Sequence, residues 1–322
     1  MHIRIAERLR PFSHHPGTKV ILPRSKIVLE LYPTLFIVGD QKIPLELTGP
    51  VKEFTVQLDL EKGCVWVWGF YQEGYRRFCL WSESGAFKIA AVRGGETVDH
   101  PKFSTSAFER LSLGSHKKQD WCLVKRRGDL KEIVPHWLRL AQLLPSVERH
   151  DQGVLDYLRQ IPKEKTTLNE NILNLYHLGF DGIFHPRLDD RDHLGVFLPS
   201  VTGSPSPLAL IAQGAEFLRS LFIEEGEQIK ILPCLPPQFH CGRLIFIDLG
   251  EIGALHIEWS KKMIRRMVFN SASDRDQTFV FQKEVKNFRF RKADEKKGKI
   301  ISSGSSLSFS SDSVYYFDRF EK

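Results

Sequence analysis

No run of about eighteen apolar residues occurs in the chain, which excludes the usual membrane-spanning helix. The first ten residues, Met1 to Arg10, carry several charges and lack the apolar stretch of a secretory signal. We therefore expect a cytoplasmic protein that does not contact a membrane.

Cysteine is sparse, and its spacing matches no metal site. Cys234 and Cys241 are separated by six residues, which is wider than the pairing of a zinc knuckle. An odd number of cysteines without a secretory signal favours reduced thiols with a structural role, and we expect neither a metal nor another cofactor. The five cysteines are Cys64, Cys79, Cys122, Cys234 and Cys241.

Positive charge is in modest excess and is concentrated in one segment near the C-terminus. The formal net charge is +7, and the segment from Lys283 to Lys299, with eight basic and three acidic residues, supplies five of these charges. A solvated strand-loop-strand hairpin is the favoured interpretation. The alternative is a module that binds protein or nucleic acid through residues 283–299. Nucleic acid is not the expected partner, because no known nucleic-acid-binding pattern accompanies the charge.

The composition is that of a globular protein. The 322 residues are 42% hydrophobic and 26% charged, which allows a substantial core and more than one domain. Six or more strands in the N-terminal third indicate an antiparallel β-sandwich within a domain spanning residues 1–125. These strands are expected over residues 26–32, 34–38, 54–60, 64–70, 76–81 and 87–92.

Trp66 and Trp68 fall on the same side of their predicted strand, because side chains alternate with a period of two. If exposed, the pair would form a platform for sugar binding, since the apolar face of a pyranose ring stacks on an indole. If buried, the two rings are core residues. We favour the core, because Val65 and Val67 make the other side of the strand apolar as well.

Residues 126–226 are expected to form a shortened helical region. Apolar residues recur at three- and four-residue spacing from Leu130 to Ala141. Pro135 should kink this helix or mark its true first turn. Further helices are expected around residues 151–160, 169–178 and 208–222.

Two polar segments are candidate sites. The loop at residues 181–195 is dense in aspartate, histidine and arginine, which suits acid/base catalysis but also a surface network of ion pairs. The segment 115–121 places polar groups beside a tryptophan, which suits a sugar site or an exposed turn. The candidate catalytic residues are Asp189, Asp190 and Asp192. The candidate binding residues are His116, Lys117, Trp121, His185, Arg187 and His193, together with Trp66 and Trp68.

A motif near the C-terminal third resembles a known junction. The chain reads Ile231-Leu-Pro-Cys-Leu-Pro236 after a predicted helix, with Gly242 at a turn and a strand ending in Ile257-Glu-Trp259. Over residues 208–273 this order resembles the C-terminal part of glycoside hydrolase family 95, the inverting α-L-fucosidases, and of related α/α-barrel glycosidases. The resemblance implies a β-sandwich packed against a helical neighbour and an ancestry in carbohydrate chemistry.

The family's catalytic motif has no counterpart at the matching position. In the family an Asp-Gly-Asn-Phe-Gly motif precedes the last barrel helix, where this chain reads Thr202-Gly-Ser-Pro-Ser-Pro-Leu208 without a carboxylate. Twelve barrel helices with short loops would need roughly 190 residues. Residues 129–226 are too few for them, so the resemblance implies a fold relationship without the activity.

We therefore expect an α+β protein with a β-sandwich-rich N-terminal region, a shortened helical middle and C-terminal β-sandwich strands over residues 227–322. The serine-rich stretch 302–313 predicts a flexible loop, and residues 314–317 predict a final strand.

The favoured function is a carbohydrate-binding or scaffold protein related to glycoside hydrolases but without their catalysis. The alternative is an active glycosidase-like hydrolase that uses the aspartate cluster at 189–192, with Asp120 or Glu216 as a partner carboxylate. Two carboxyl groups across a cleft would favour the alternative.

Overall fold

The structure is a computed structural model that describes residues 2–92, 108–114, 130–145, 168–180, 183 and 207–322. Over these residues the chain is rich in antiparallel sheet and has three α-helices, which confirms the predicted α+β class. No helix in this part of the chain is long and apolar enough to cross a membrane.

The N-terminal region is a pair of antiparallel sheets. Its strands are β1 (Phe12–Ser13), β2 (Thr18–Ile21), β3 (Val28–Leu31), β4 (Leu35–Val38), β5 (Gln41–Pro44), β6 (Lys52–Asp59), β7 (Cys64–Tyr71), β8 (Gly74–Glu83) and β9 (Ala86–Val92). One sheet has the order β2-β3-β4-β5 and the other β1-β6-β7-β8-β9. Phe36 of β4 meets Phe78 of β8 edge-on, with ring centroids 5.8 Å apart. The sheets therefore pack face to face, and a strand overlaps each of the six predicted ranges.

The helices pack around one tryptophan. They are α1 (Leu130–Ala141), α2 (Leu168–Gly179) and α3 (Pro207–Ser220). The indole N–H of Trp137 in α1 donates to the carbonyl of Ile211 in α3 at 2.7 Å, and its ring meets Phe180 edge-on. Pro135 lies in the interior of α1 and not at its first turn. The helix predicted at residues 151–160 lies outside the described residues.

The remaining strands build a C-terminal sandwich. They are β10 (Arg110–Ser112), β11 (Ile223–Glu224), β12 (Gln228–Ile231), β13 (Cys241–Asp248), β14 (Gly253–Ser260), β15 (Met263–Ser271), β16 (Arg275–Val280), β17 (Asn287–Lys292), β18 (Lys299–Ser302), β19 (Ser306–Phe309) and β20 (Ser313–Glu321). A seven-stranded sheet, β10-β13-β14-β15-β20-β17-β18, faces a four-stranded sheet, β11-β12-β16-β19. Aromatic rings fill the space between them, with Phe269 against Phe279 and Phe309 at 5.3 and 4.8 Å.

The serine-rich stretch corrects one sequence prediction. Residues 302–313 were expected to form a loop, yet Ser306–Phe309 forms β19 and pairs with β16. Leu307 and Phe309 alternate with serines and are buried, so a period-two apolar pattern outweighs the polar composition. The final strand predicted at residues 314–317 is present within β20.

The Ile231–Pro236 segment joins the sandwich to the last helix. The amide of Leu232 donates to the carbonyl of Phe222 at 2.7 Å. Nearby, the buried Trp259 donates its indole N–H to the carbonyl of Phe239 at 2.8 Å. A side chain at position 242 would overlap the Trp259 ring, so Gly242 allows β13 to pack there. One continuous apolar core runs from the N-terminal sheets through the helices into this sandwich.

Candidate functional site

Strand β7 has two faces of different kinds. Val65 and Val67 are fully buried in the main apolar core. Trp66 and Trp68 lie on the opposite side and belong to a separate aromatic cluster. The prediction that the two tryptophans share one face is confirmed.

Cross-strand pairing adds neighbours to this outer side. Trp68 lies opposite Thr55 of β6 and Arg77 of β8, and Phe70 lies opposite Tyr75. Directly paired residues point to the same side of a sheet. We call this surface the aromatic face. Its members are Phe12, His14, Thr55, Gln57, Trp66, Trp68, Phe70, Tyr75, Arg77 and Trp81.

Exposure increases along the aromatic face from one end to the other. Trp66 is 6% exposed, Trp68 is half-buried, and Phe70 and Tyr75 are 44% and 43% exposed. The rings of Phe70 and Tyr75 are 5.3 Å apart between centroids. Trp66 is thus a core residue, as the sequence favoured, whereas the far end presents aromatic rings to solvent. Clustered exposed rings of this kind mark binding surfaces.

Basic side chains cover Trp66. The guanidinium carbon of Arg77 lies 4.0 Å from the centroid of the Trp66 ring and 5.8 Å from that of Trp68. The ammonium of Lys62 lies 5.6 Å from the Trp66 ring. Attraction between a cation and the negative face of an indole favours both contacts. Arg77 is therefore held beside the more accessible Trp68.

A shallow, open depression of about 650 Å³ lies beside Trp68. It is lined by His14, Val51, Glu53, Phe54, Thr55 and Trp68.

A β-bulge in β6 shapes the wall of the depression. The register between β6 and β7 shifts between Lys52 and Thr55, and Glu53 has a φ of 55°. Bulges re-aim side chains near binding sites, and here the bulge places Glu53 at the depression. Opposite it, a Cβ on Gly69 would lie 2.8 Å from a methyl carbon of Val51, so only glycine permits this approach.

His14 is fixed by β6. Its Nδ1 is 3.2 Å from the carbonyl of Phe54 and 3.0 Å from the hydroxyl of Thr55. The Thr55 hydroxyl donates to the carbonyl of Glu53, so it accepts from His14, and Nδ1 carries the proton. The neutral ring then offers Nε2 as an acceptor. Together with the Glu53 carboxylate, it can accept hydrogen bonds from hydroxyl groups of a ligand.

The thiols of Cys64 and Cys79 lie on the same side of the sheet as Trp66 and are hydrogen-bonded to each other. That hydrogen bond and burial raise the pKa of Cys64, so it remains a thiol at neutral pH. The four described cysteines, Cys64, Cys79, Cys234 and Cys241, form no disulfide.

The two polar segments singled out in the sequence lie outside the described residues. The structure therefore brings together Trp66 and Trp68 alone among the predicted site residues. Within the described ranges, no three histidine, cysteine or acidic side chains cluster in a way that could hold a metal. The predicted site residues that lie outside the described ranges are His116, Lys117, Trp121, His185, Arg187, Asp189, Asp190, Asp192 and His193, together with Asp120.

The basic segment forms the hairpin expected from the sequence, with β17 paired to β18. Arg289 donates to both carboxylate oxygens of Asp318, at 2.7 and 2.8 Å, and Arg291 lies 4.8 Å from the Tyr316 ring. Both arginines are thus engaged within the sheet. The exposed charge comes from lysines, namely Lys283, Lys286, Lys296, Lys297 and Lys299.

No protein-family model matches the chain, and no curated protein sequence matches it either. Function must therefore be inferred from the aromatic face itself.

Sequence reasoning missed most residues of the aromatic face. Arg77 and Tyr75 could have been found, because the short turn at Gln72-Glu73 pairs Tyr71 with Gly74 and so sets the register of β7 against β8. His14 and Glu53 had no such signal. His14 arrives from a strand distant in sequence, and Glu53 is placed by a bulge.

Proposed function

We propose that the chain binds carbohydrate on the aromatic face and does not cleave glycosidic bonds there. The observation that carries this proposal is the position of Trp68, half-buried between a depression lined by hydrogen-bond acceptors and a row of exposed rings. A pyranose ring has an apolar face that stacks on an indole and a rim of hydroxyls that needs polar partners. Trp68 supplies the indole on which the apolar face stacks, and His14 and Glu53 supply polar partners for the hydroxyls.

The length of the face suits a short oligosaccharide. Trp66, Trp68 and Phe70 follow one another on one side of β7, and a strand rises about 3.4 Å per residue. The side chains at positions 66 and 70 are thus roughly 14 Å apart along the strand. Because Arg77 covers Trp66, the open part of the row is Trp68, Phe70 and Tyr75.

Binding is favoured over hydrolysis because of the carboxylates that line the depression. Glycoside hydrolysis uses a pair of carboxyl groups on either side of the scissile bond. Among the described residues that line the depression, Glu53 is the one carboxylate. We therefore assign Glu53 to hydrogen bonding and not to acid/base chemistry.

The C-terminal half supports the proposed relation to α/α-barrel glycosidases. Helix α3 leads into the Ile231–Pro236 segment and then into sandwich strands that include Trp259, in the order that those enzymes share. The proposal is that the scaffold was inherited, while binding uses a different surface, on the N-terminal sheet.

The test is binding to an array of neutral and acidic oligosaccharides by the wild type and by the variant Trp68→Ala. We expect the variant to lose about tenfold or more in affinity, since truncating an aromatic anchor typically costs about 2 kcal/mol. Ile300→Ala is the control, because Ile300 is an exposed apolar residue that lies on the C-terminal sheet, away from the aromatic face. Absence of binding to every oligosaccharide at millimolar concentration would exclude the function. Binding that is unchanged in Trp68→Ala would exclude this site.

A further inference from the structure

We propose that Arg77 makes the aromatic face selective for saccharides that carry a carboxylate. This inference rests on the proposed carbohydrate binding and specifies its ligand class. Three observations carry it: the position of Arg77, the lack of a counterion for it among the described residues, and its contact with the Trp66 ring.

Arg77 is placed beside the stacking ring. Thr55, Trp68 and Arg77 form one row across β6, β7 and β8, and neighbouring strands are about 4.8 Å apart. The guanidinium lies 5.8 Å from the Trp68 ring centroid. A sugar stacked on Trp68 therefore has Arg77 on the β8 side and Glu53 on the β6 side.

The charge of Arg77 has no counterion in the described part of the chain. Its Nε is buried and makes no hydrogen bond there, and no described carboxylate lies within ion-pairing distance. The nearby Asp59 pairs with Arg10 at 3.0 Å, and Glu83 lies 3.9 Å from Lys88. Asp59 and Glu83 thus have cations of their own, and the remaining carboxylate, Glu53, lies on the other side of Trp68.

Lys62 adds a second cation without an ion pair among the described residues. It contacts the same Trp66 ring as Arg77. Two positive charges therefore flank one indole, the half-buried Arg77 and the exposed Lys62. An anion gains more beside the half-buried charge than it would in water.

The contact with Trp66 also selects the shape of the anion. A guanidinium whose carbon lies 4.0 Å from the centroid of an indole is restrained by that contact, which reduces the entropy lost when it binds a ligand. Its N–H groups then match the two oxygens of a planar carboxylate. Glu53 repels an anion on the other side of Trp68. A uronate ring is thereby oriented with its carboxylate towards Arg77 and its hydroxyls towards Glu53 and His14.

The test compares acidic oligosaccharides with their own methyl esters. Trimers of galacturonate, mannuronate and glucuronate, each beside its ester, are titrated calorimetrically into the full-length protein. We expect at least one acid to bind about tenfold or more tightly than its ester. Arg77→Gln should remove that preference, so that acid and ester bind with affinities within about twofold of each other. Arg76→Gln is the matched control, because Arg76 precedes Arg77 on β8, on the opposite face of the strand, and should change neither affinity.

A second variant keeps the inference testable if Arg77→Gln does not fold, as judged by circular dichroism. Lys62 is exposed, so Lys62→Gln should fold normally. It should weaken the acids about threefold without affecting the esters. Equal affinity of acids and esters in the wild type would overturn the inference while leaving the proposed function intact. So would a preference for acids that survives Arg77→Gln or, where that variant is unfolded, a preference for acids that Lys62→Gln does not reduce. Failure of both acids and esters to bind would instead overturn the proposed function.

Two further ligands separate carboxylates from other anions. A sulfated galactose trisaccharide should bind more weakly than the best uronate. Tighter binding of the sulfated sugar that depends on Arg77 would contradict selectivity for carboxylates. A twelve-nucleotide oligouridine should bind weakly and without dependence on Trp68. Tight, salt-sensitive binding that is lost in both Trp68→Ala and Arg77→Gln would assign the face to single-stranded nucleic acid instead.

Discussion

Gly69 sits where β7 passes the bulge that places Glu53, and its missing side chain leaves room for Val51, which lines the depression. We expect Gly69→Ala to destabilise the protein by about 1–3 kcal/mol, because the new methyl group would press against Val51. The variant should also weaken oligosaccharide binding, since Val51 lines the depression. Denaturant unfolding measures the first effect and calorimetry the second.

Gly226→Ala provides the control for that substitution. A Cβ at Gly226 would come no closer than 3.7 Å to its neighbours, which is ordinary contact. Its free energy of unfolding should stay within about 0.5 kcal/mol of the wild type. Equal stability of the two variants would show that the close approach of β7 to Val51 does not require glycine at position 69.

His136 gives the fold a dependence on pH. It is fully buried in α1, neither ring nitrogen has a hydrogen-bond partner among the described residues, and burial lowers its pKa to about 3. Below the unfolded-state pKa of about 6.5, His136 binds a proton in the unfolded chain but not in the folded chain. Stability is therefore lost as the pH falls from about 6.5 towards 3.

His136→Leu should remove this contribution. Between pH 7 and pH 5 the wild type should lose about 2 kcal/mol more stability than the variant. Because the ring makes no hydrogen bond, the leucine should also be tolerated at pH 7. Urea unfolding at several pH values measures the difference, and parallel pH profiles would rule out this role of His136.

At the scale of elements, Arg219 ties helix α3 to two strands. Its Nε donates to both oxygens of Glu109, beside β10, at 2.7 and 2.9 Å, and its Nη2 donates to the carbonyl of Asp248 in β13. Burial raises the pKa of Glu109 and the charge of Arg219 opposes that rise. Arg219→Met would therefore leave a buried carboxylate unpaired.

We expect Arg219→Met to cost about 2 kcal/mol or more. Adding Glu109→Gln should restore part of that loss, because the buried charge is then gone. Lys230→Met is the control, since its pair with Glu224 is exposed and should contribute less than about 1 kcal/mol. Thermal and denaturant unfolding of these three variants and the wild type checks this. A loss in Arg219→Met no larger than that in Lys230→Met would refute the role of this ion pair.

Strands and pairings set by local pattern could be predicted from the sequence. Clean alternation located β6 and β7, and the short turn at residues 72–73 determines that Arg77 lies opposite Trp68. Composition was misleading at residues 302–313, where two apolar side chains at alternate positions suffice to form β19. The bulge at Glu53 could not be predicted, because it depends on how β6 meets β7 and not on residue 53 itself.

At the scale of the whole molecule, one apolar core joins regions that the sequence divides into three. Leu58 of the N-terminal sheets, Trp137 of α1 and Phe269 of the C-terminal sandwich belong to the same buried cluster. The sequence could not reveal this continuity, since contacts between distant elements leave no periodic signal. The three regions should therefore depend on one another for their stability.

Calorimetric unfolding of the full chain should show a single cooperative transition. A chain ending at residue 226 lacks most of the C-terminal sandwich and should melt at a lower temperature or fail to fold. Two well-separated transitions in the full chain, or a truncated chain as stable as the whole, would contradict a shared core.

The most direct measurement of ligand binding is a titration followed by the indole N–H signals in a ¹H–¹⁵N spectrum, with Trp68→Phe used to assign Trp68. The galacturonate trisaccharide is the first ligand to add. We expect a concentration-dependent shift of the Trp68 signal. Trp137 and Trp259, which are buried and hydrogen-bonded to carbonyl groups, should not move. Saturable binding of any oligosaccharide that leaves Trp68 unshifted would contradict binding at the aromatic face.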